Sequence, residues 1–128
     1  EESLRAPLII SSPQVAQAGS STKEIVESID LFPTLCDLTG LTKPTFLNGH
    51  SLLPLLKSAT APSEGIAVSY HNKARTIRSA TQRLIAHKDG QLELYDHNSP
   101  GGETKNLSSS QPEEATRLLE QLNQRYPK

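Results

Sequence analysis

Apolar residues change their spacing along the chain, and each change predicts an element. Leu8, Ile9 and Ile10 form a continuous apolar run, entered through Pro7 and left through Ser11, Ser12 and Pro13. A run without alternation suits a strand covered on both faces, and such a strand needs neighbours on both sides. Residues 14–22 are rich in Ser, Ala, Gln and Gly without any period and read as a loop. From there the apolar positions are Ile25, Val26, Ile29, Phe32, Leu35, Cys36 and Leu38, a helical spacing interrupted by Pro33. Proline lacks the N–H and clashes with the preceding turn, so the helix is predicted to start with Asp30 as N-cap and Pro33 in its first turn. Gly40 ends it as the left-handed residue after the last turn. Residues 25–29 are read, in the alternative, as a short strand. Asn48-Gly49 makes a turn, and Ser51 to Leu56 is a short apolar helical turn.

Beyond a surface linker over residues 58–64 the period becomes two. Ile66, Val68 and Tyr70 share one face, and strands are predicted again over residues 74–78 and 83–87. Asp89-Gly90 is the strongest hairpin signal, because the pair accepts the positive φ angles of a type I′ turn. Leu92 and Leu94 then share the buried face of the following strand. Ser110-Gln-Pro-Glu113 fits a capping box with Pro112 in the first turn. Ala115, Leu118, Leu119 and Leu122 form one apolar stripe at helical spacing. The predicted fold class is α/β changing to α+β. A strand and a helix from a larger mixed sheet come first; a small antiparallel sheet of three or four strands follows, covered by a C-terminal helix.

Composition narrows the partners. At 128 residues the chain can bury one modest core. Its 13 Lys plus Arg against 14 Asp plus Glu create no field that favours nucleic acid or an anionic membrane, so no nucleic-acid partner is expected. No apolar run approaches the ~18 residues that span a bilayer, so no membrane span is expected either. An exported protein would carry its signal upstream of Glu1. Cys36 is the one cysteine, which leaves no internal disulfide and no thiolate cluster for zinc; on the apolar stripe of its helix it reads as a buried structural thiol.

Candidate chemistry is sparse. Asp30, Asp37, Asp89 and Asp96 lie apart, at a cap, a polar helix face, a turn and a strand end, so no metal site is expected from their spacing. His50, His87 and His97 read as solvated side chains in a turn, a strand and a loop. The best functional candidate is the connection at Tyr70, His71, Asn72 and Lys73, which combines a ring, an amide and a cation between two strands. Its plain alternative is an ordinary polar hairpin loop. Arg5 is a second substrate-facing candidate; its structural alternative, an ion pair with Glu1 or Glu2, is the preferred reading. Arg75 and Arg78 are read as stacking or ion-pairing across the sheet. No catalytic residue is expected in the chain.

Four segments, in order, resemble the C-terminal portion of the sulfatase family, within the alkaline-phosphatase-like superfamily. Residues 1–10 are similar to the family's Tyr-Glu-x-x-x-Arg-Val-Pro-Leu-Ile, which leads into a strand of its large central sheet. Residues 28–35 with Leu38-Thr39-Gly40 are similar to its Asp-Leu-x-Pro-Thr-Leu helix, and residues 48–56 to Asp-Gly-Arg-Ser-Leu-x-Pro-Leu-Leu. Arg75-Thr-Ile-Arg-Ser79 with Arg83-Leu-Ile85 resembles Arg-x-Val-Arg-Thr-x-x-Tyr-Lys-Leu-Ile. Leu94-Tyr95-Asp96 with Glu103, Asn106 and Leu107 resembles the family's terminal Leu-Tyr-Asp and Glu-x-x-Asn-Leu. Gln82 departs from the family's Tyr, His50 from the Arg of Gly-Arg-Ser, and Pro100-Gly101 from an Asp-Pro pair.

The resemblance implies a calcium ion and a formylglycine made from Cys or Ser in Cys/Ser-x-Pro-x-Arg. Cys36 is followed by Asp37-Leu38-Thr39, so both belong to a missing N-terminal part. Residues 1–57 are then the C-terminal edge of the catalytic α/β domain, and residues 65–128 a small C-terminal subdomain. The implied partners are the remainder of that catalytic domain and a sulfated small molecule or sugar. The implied location is periplasmic, lysosomal or secreted. The alternatives are a free-standing protein-interaction module and part of a related phosphate or phosphonate ester hydrolase; the chain alone is expected to be inactive.

Overall fold

The computed structural model describes residues 4–15 and 18–126. Glu1 to Ser3, with the start of the first family-like segment and the proposed Arg5 partners Glu1 and Glu2, lie outside the described residues, as do Ala16 and Gln17 of the predicted loop. The chain forms two compact units. The first holds the described residues of 1–23 together with 28–62; the second holds 24–27 together with 63–126.

In the second unit the period-two pattern becomes a four-stranded antiparallel sheet in sequence order, β1 (Ile66–His71), β2 (Ala74–Ser79), β3 (Gln82–His87) and β4 (Leu92–Asp96). Register explains which residues are buried. Val68, Ile77, Leu84 and Leu94 stand directly opposite one another across the four strands, and Ile77, Leu84 and Leu94 are wholly buried. The C-terminal helix (Pro112–Arg125) covers this row with Ala115, Leu118 and Leu122, joined by Leu92 and Leu119 at the margin. Each such leucine or isoleucine removed from water stabilises by roughly 1.5–3 kcal/mol.

Two turn details differ from expectation. The β3–β4 connection is not a type I′ turn, because Asp89 keeps a negative φ and only Gly90 is left-handed, at φ 92°. Gly90 N donates to His87 O at 3.1 Å, so the hairpin uses a three-residue loop with glycine in the left-handed position. The capping box does not form. Ser110 Oγ turns back to donate to Leu107 O at 3.1 Å, and the helix begins at Pro112 without a side-chain cap. Pro112 lacks one of the donors that a cap would satisfy.

The first unit contains a helix, α1 (Leu31–Thr39), preceded by a 3-10 turn at Ser28–Asp30, and a short helix, α2 (Leu53–Lys57). Residues 25–27 form no strand. Pro33 sits in the first turn of α1, and Gly40, at φ 73°, ends it as predicted. Asp30 occupies the N-cap position but makes no capping bond; its Oδ1 accepts from His50 N at 2.8 Å instead. Thr34 Oγ1 donates to Asp30 O at 2.6 Å and accepts from Leu52 N at 2.8 Å. The turn at 48–52 is thereby stitched onto the start of the helix. Gly49 permits the approach, since a Cβ there would lie 2.1 Å from Ile29 O. The expected strand at residues 8–10 is not formed; this stretch has no regular secondary structure and Ile9 is 91% exposed. A strand requires a ladder partner, and the four strands among the described residues pair only with each other.

Candidate functional site

Of the residues singled out from the sequence, His71, Asn72 and Lys73 are brought together at the β1–β2 tip. His71 pairs with Ala74, which leaves Asn72 and Lys73 as a two-residue connection. Asn72 is the one non-glycine with positive φ among the described residues, at 53°, a conformation asparagine tolerates because its short amide bonds locally. Its Nδ2 lies 2.8 Å from His71 Nε2. In this pair the amide nitrogen can only donate, so the ring nitrogen accepts. Lys73 O accepts from Lys88 N at 2.8 Å, so the tip is fastened to the neighbouring β3–β4 turn. All three side chains are exposed. The arrangement offers an imidazole, an amide and an ammonium to an anion or a hydroxyl. Arg5 is exposed and belongs to the first unit.

The sheet face opposite the helix carries a polar network that the sequence reading missed. Arg78, Arg83 and Tyr95 stand opposite one another across β2, β3 and β4. Arg83 is buried, and its Nη1 donates to Glu103 Oε1 at 2.8 Å. His97 Nε2 lies 3.1 Å from the same oxygen. His87 Nε2 is 2.6 Å from Glu93 Oε1, and Tyr95 Oη donates to Glu93 Oε2. The phenol's hydrogen bond, foremost, holds the Glu93 carboxyl below the usual range, and that same bond pushes the Tyr95 hydroxyl up to about 12. His87 and His97 are therefore not simply solvated: their side chains are 34% and 15% exposed, and each rests on a glutamate. The usable signal was register. A three-residue turn sets Glu93 diagonally across from His87, one ladder position along the same face.

Arg75 also has a different role from the one expected. Its guanidinium reaches the C-terminal helix rather than a charge across the sheet, donating to Asn123 Oδ1 and Tyr126 O, each at 2.9 Å. Arg78 Nη1 donates to Ser79 O.

The four aspartates do not fit a calcium site. Asp30 accepts from His50 N, Asp37 pairs with Lys43 Nζ at 3.0 Å, Asp89 accepts from Gln91 N at 3.0 Å and Asp96 from Asn98 N at 2.8 Å. Among the described residues no three His, Cys, Asp or Glu gather where an ion could be held. Cys36, within α1, is buried at 4% exposure. No helix of the described residues is long and apolar enough to cross a membrane.

Comparison with known proteins places these features in a family. The model of the family described as N-sulphoglucosamine sulphohydrolase, C-terminal, matches residues 1–128. The chain is 30% identical over 146 aligned residues to arylsulfatase K of Mus musculus, covering all of this chain and 26% of the relative. It is 27% identical to an N-acetylglucosamine-6-O-sulfatase of Bacteroides thetaiotaomicron, covering 98% of this chain and 26% of that protein. A solved structure of a protein in complex with its substrate D-glucosamine-2-N,6-O-disulfate superposes with a TM-score of 0.74 at 25% identity, over 89% of this chain and 27% of that one. The phosphonate monoester hydrolase of Agrobacterium radiobacter shares the fold, with a TM-score of 0.61 at 21% identity. The chain thus spans about a quarter of the length of the curated relatives it matches.

Proposed function

The chain belongs to the N-sulphoglucosamine sulphohydrolase C-terminal family, and from that premise we propose that it is the C-terminal part of a sulfuric ester hydrolase, supporting chemistry whose reacting groups lie in the remainder of the protein. One observation carries the reading. The first unit leaves Ile9, Phe32, Leu35 and Phe46 exposed at 91%, 52%, 56% and 77%, a surface that water does not favour and that another part of the same catalytic domain would cover. Residues 1–57 are then an edge of that domain, residues 58–64 a linker, and residues 65–128 a subdomain that walls the substrate pocket. A formylglycine nucleophile and a calcium ion to neutralise the ester's charge, as the family implies, would be supplied by the remainder of the protein. His71, Asn72 and Lys73, on their fastened tip, would contact the sulfated sugar, with Arg5 as a further contact. The protein would act in the periplasm, in the lysosome or after secretion.

Turnover of an aryl sulfate and of a sulfated glucosamine by the intact protein tests the reading. His71→Ala and Lys73→Met are expected to raise KM for the sugar by about tenfold each while sparing an unadorned aryl sulfate. The 128 residues alone are expected to show no turnover; activity without an added chain would overturn the supporting role. A second reading, a phosphonate or phosphate ester, is favoured by the fold shared with the phosphonate monoester hydrolase. It wins if the intact protein hydrolyses those esters faster than sulfates.

A further inference from the structure

We propose that Glu27 is an edge guard: its carboxylate closes the outer edge of β1, and without it that edge pairs with β1 of a second copy of the protein. Residues 24–27 form no strand, yet they belong to the second unit rather than the first. Glu27 Oε1 accepts from Val68 N at 2.8 Å, and Oε2 accepts from Arg125 Nη2 at 3.0 Å. Arg125 Nη1 also pairs with Glu64 Oε2 at 2.9 Å, so one guanidinium serves two carboxylates. The side chains of Glu27 and Arg125 are 9% and 18% exposed. Bonds to a charged acceptor are stronger than neutral ones, so this enclosed carboxylate holds the Val68 amide firmly.

The far edge of the sheet shows what a closed edge requires. Leu94 of β4 lies in line with Val68 across the register, and its main chain is occupied on the outer side. Leu94 N donates to Asn106 Oδ1 at 3.0 Å, Leu107 N to Leu94 O at 2.8 Å, and Asn106 Nδ2 to Leu92 O at 3.1 Å. At β1, backbone alternation turns the N–H and C=O groups of Ile66, Val68 and Tyr70 outward together, and Glu27 takes the central N–H. Edge strands are otherwise protected by lysine, proline or a bulge. Ile66-Ala-Val-Ser-Tyr-His71 contains no Lys, Arg, Asp, Glu or Pro, and it pairs with β2 without a bulge. Such a strand complements itself. An antiparallel pair centred on Val68 sets the two Val68 residues against each other and each Ile66 against a Tyr70, β-branched and aromatic partners that favour strand pairing. Tyr70, at 62% exposure, is open to that contact. The inference rests on packing in the second unit and on no step of the ester chemistry.

The test is the association state of the full-length protein, measured by sedimentation over a range of concentrations and located by amide hydrogen exchange. Glu27→Ala is expected to dimerise at least tenfold more tightly than the parent. Adding Tyr70→Lys is expected to return the protein to the parent's state, because a charge on the edge strand disfavours pairing. In the parent the Val68 amide is expected to exchange slowly and the Tyr70 amide quickly; in the Glu27→Ala dimer both are slow. A folded Glu27→Ala protein that associates no more than the parent overturns the guard, as does a dimer whose Tyr70 amide stays fast or one that the lysine leaves intact. Should Glu27→Ala melt early, exchange in the parent decides, and a Val68 amide as fast as that of Tyr70 overturns the proposal.

Discussion

The two units treat their apolar residues in opposite ways. In the second, a row of Val68, Ile77, Leu84 and Leu94 across four strands is closed by Ala115, Leu118 and Leu122 of one helix. In the first, Leu31, Phe32 and Leu35 of α1 are exposed while Pro33, Thr34 and Cys36 on the same helix are buried. A helix that is apolar on both sides belongs between two layers. The second unit is complete as a core. The first is held instead by hydrogen bonds at one knot, where Asp30, Thr34 and Gly49 bind the 48–52 turn to the helix.

The contrast can be broken at several points. Leu84→Ala, at the centre of the closed core, is expected to cost about 2–5 kcal/mol in urea unfolding of the chain, since the cavity has packed neighbours on every side. Gly49→Ala is expected to cost about 1–3 kcal/mol and to act on the first unit alone, because the added methyl meets the Ile29 backbone. Hydrogen exchange that fails to quicken in the first unit, or that quickens in the second, would contradict the assignment of that knot.

Alkaline titration probes the polar face of the second unit. Tyr95 is raised from an ordinary 10.0 to about 12, so its bond to Glu93 contributes stability that is present below pH 10 and lost as pH rises from 10 through 12. Glu93 is lowered from 4.5, so its share is present above pH 4.5 and lost as pH falls through its lower folded value. Tyr95→Phe is expected to flatten the alkaline limb and to reduce the acid one. An unaltered pH–stability curve in that variant would rule the coupling out. The smallest effect is the most discriminating. Phe32→Ser, at a side chain already 52% exposed, is expected to change the stability of this chain by no more than about 0.5 kcal/mol, yet to lower the melting temperature of the intact protein by several degrees.

Much of the second unit was legible in sequence because local rules and burial agree there. Alternation placed the strands, and helical spacing placed Ala115, Leu118 and Leu122. Cap chemistry was less legible. Asp30 and Ser110 have the right residue types, but Asp30 instead accepts from His50 N, far along the chain, and Ser110 turns back to donate to Leu107 O, a local bond that competes with the cap. His97 was read as solvated because Glu103 meets it only once the loop after β4 folds back onto Arg83. The tip at His71–Lys73 was found from composition between two strands; its geometry, with Asn72 left-handed and Lys73 tied to Lys88, was not.

By itself the sequence determined the order of elements from α1 onward, the apolar stripes, the glycine that ends α1 and the absence of a Cys/Ser-x-Pro-x-Arg nucleophile motif in this stretch. These follow from spacing and from residue chemistry, which act over a few positions. The tertiary structure alone decided that Leu8, Ile9 and Ile10 have no ladder partner here, that Arg83 is buried against Glu103, and that Arg75 closes the end of a helix some fifty residues away. The physical reason is that a hydrogen-bond donor or an apolar surface takes whatever acceptor or cover the folded chain brings within reach, and that choice is made across the fold.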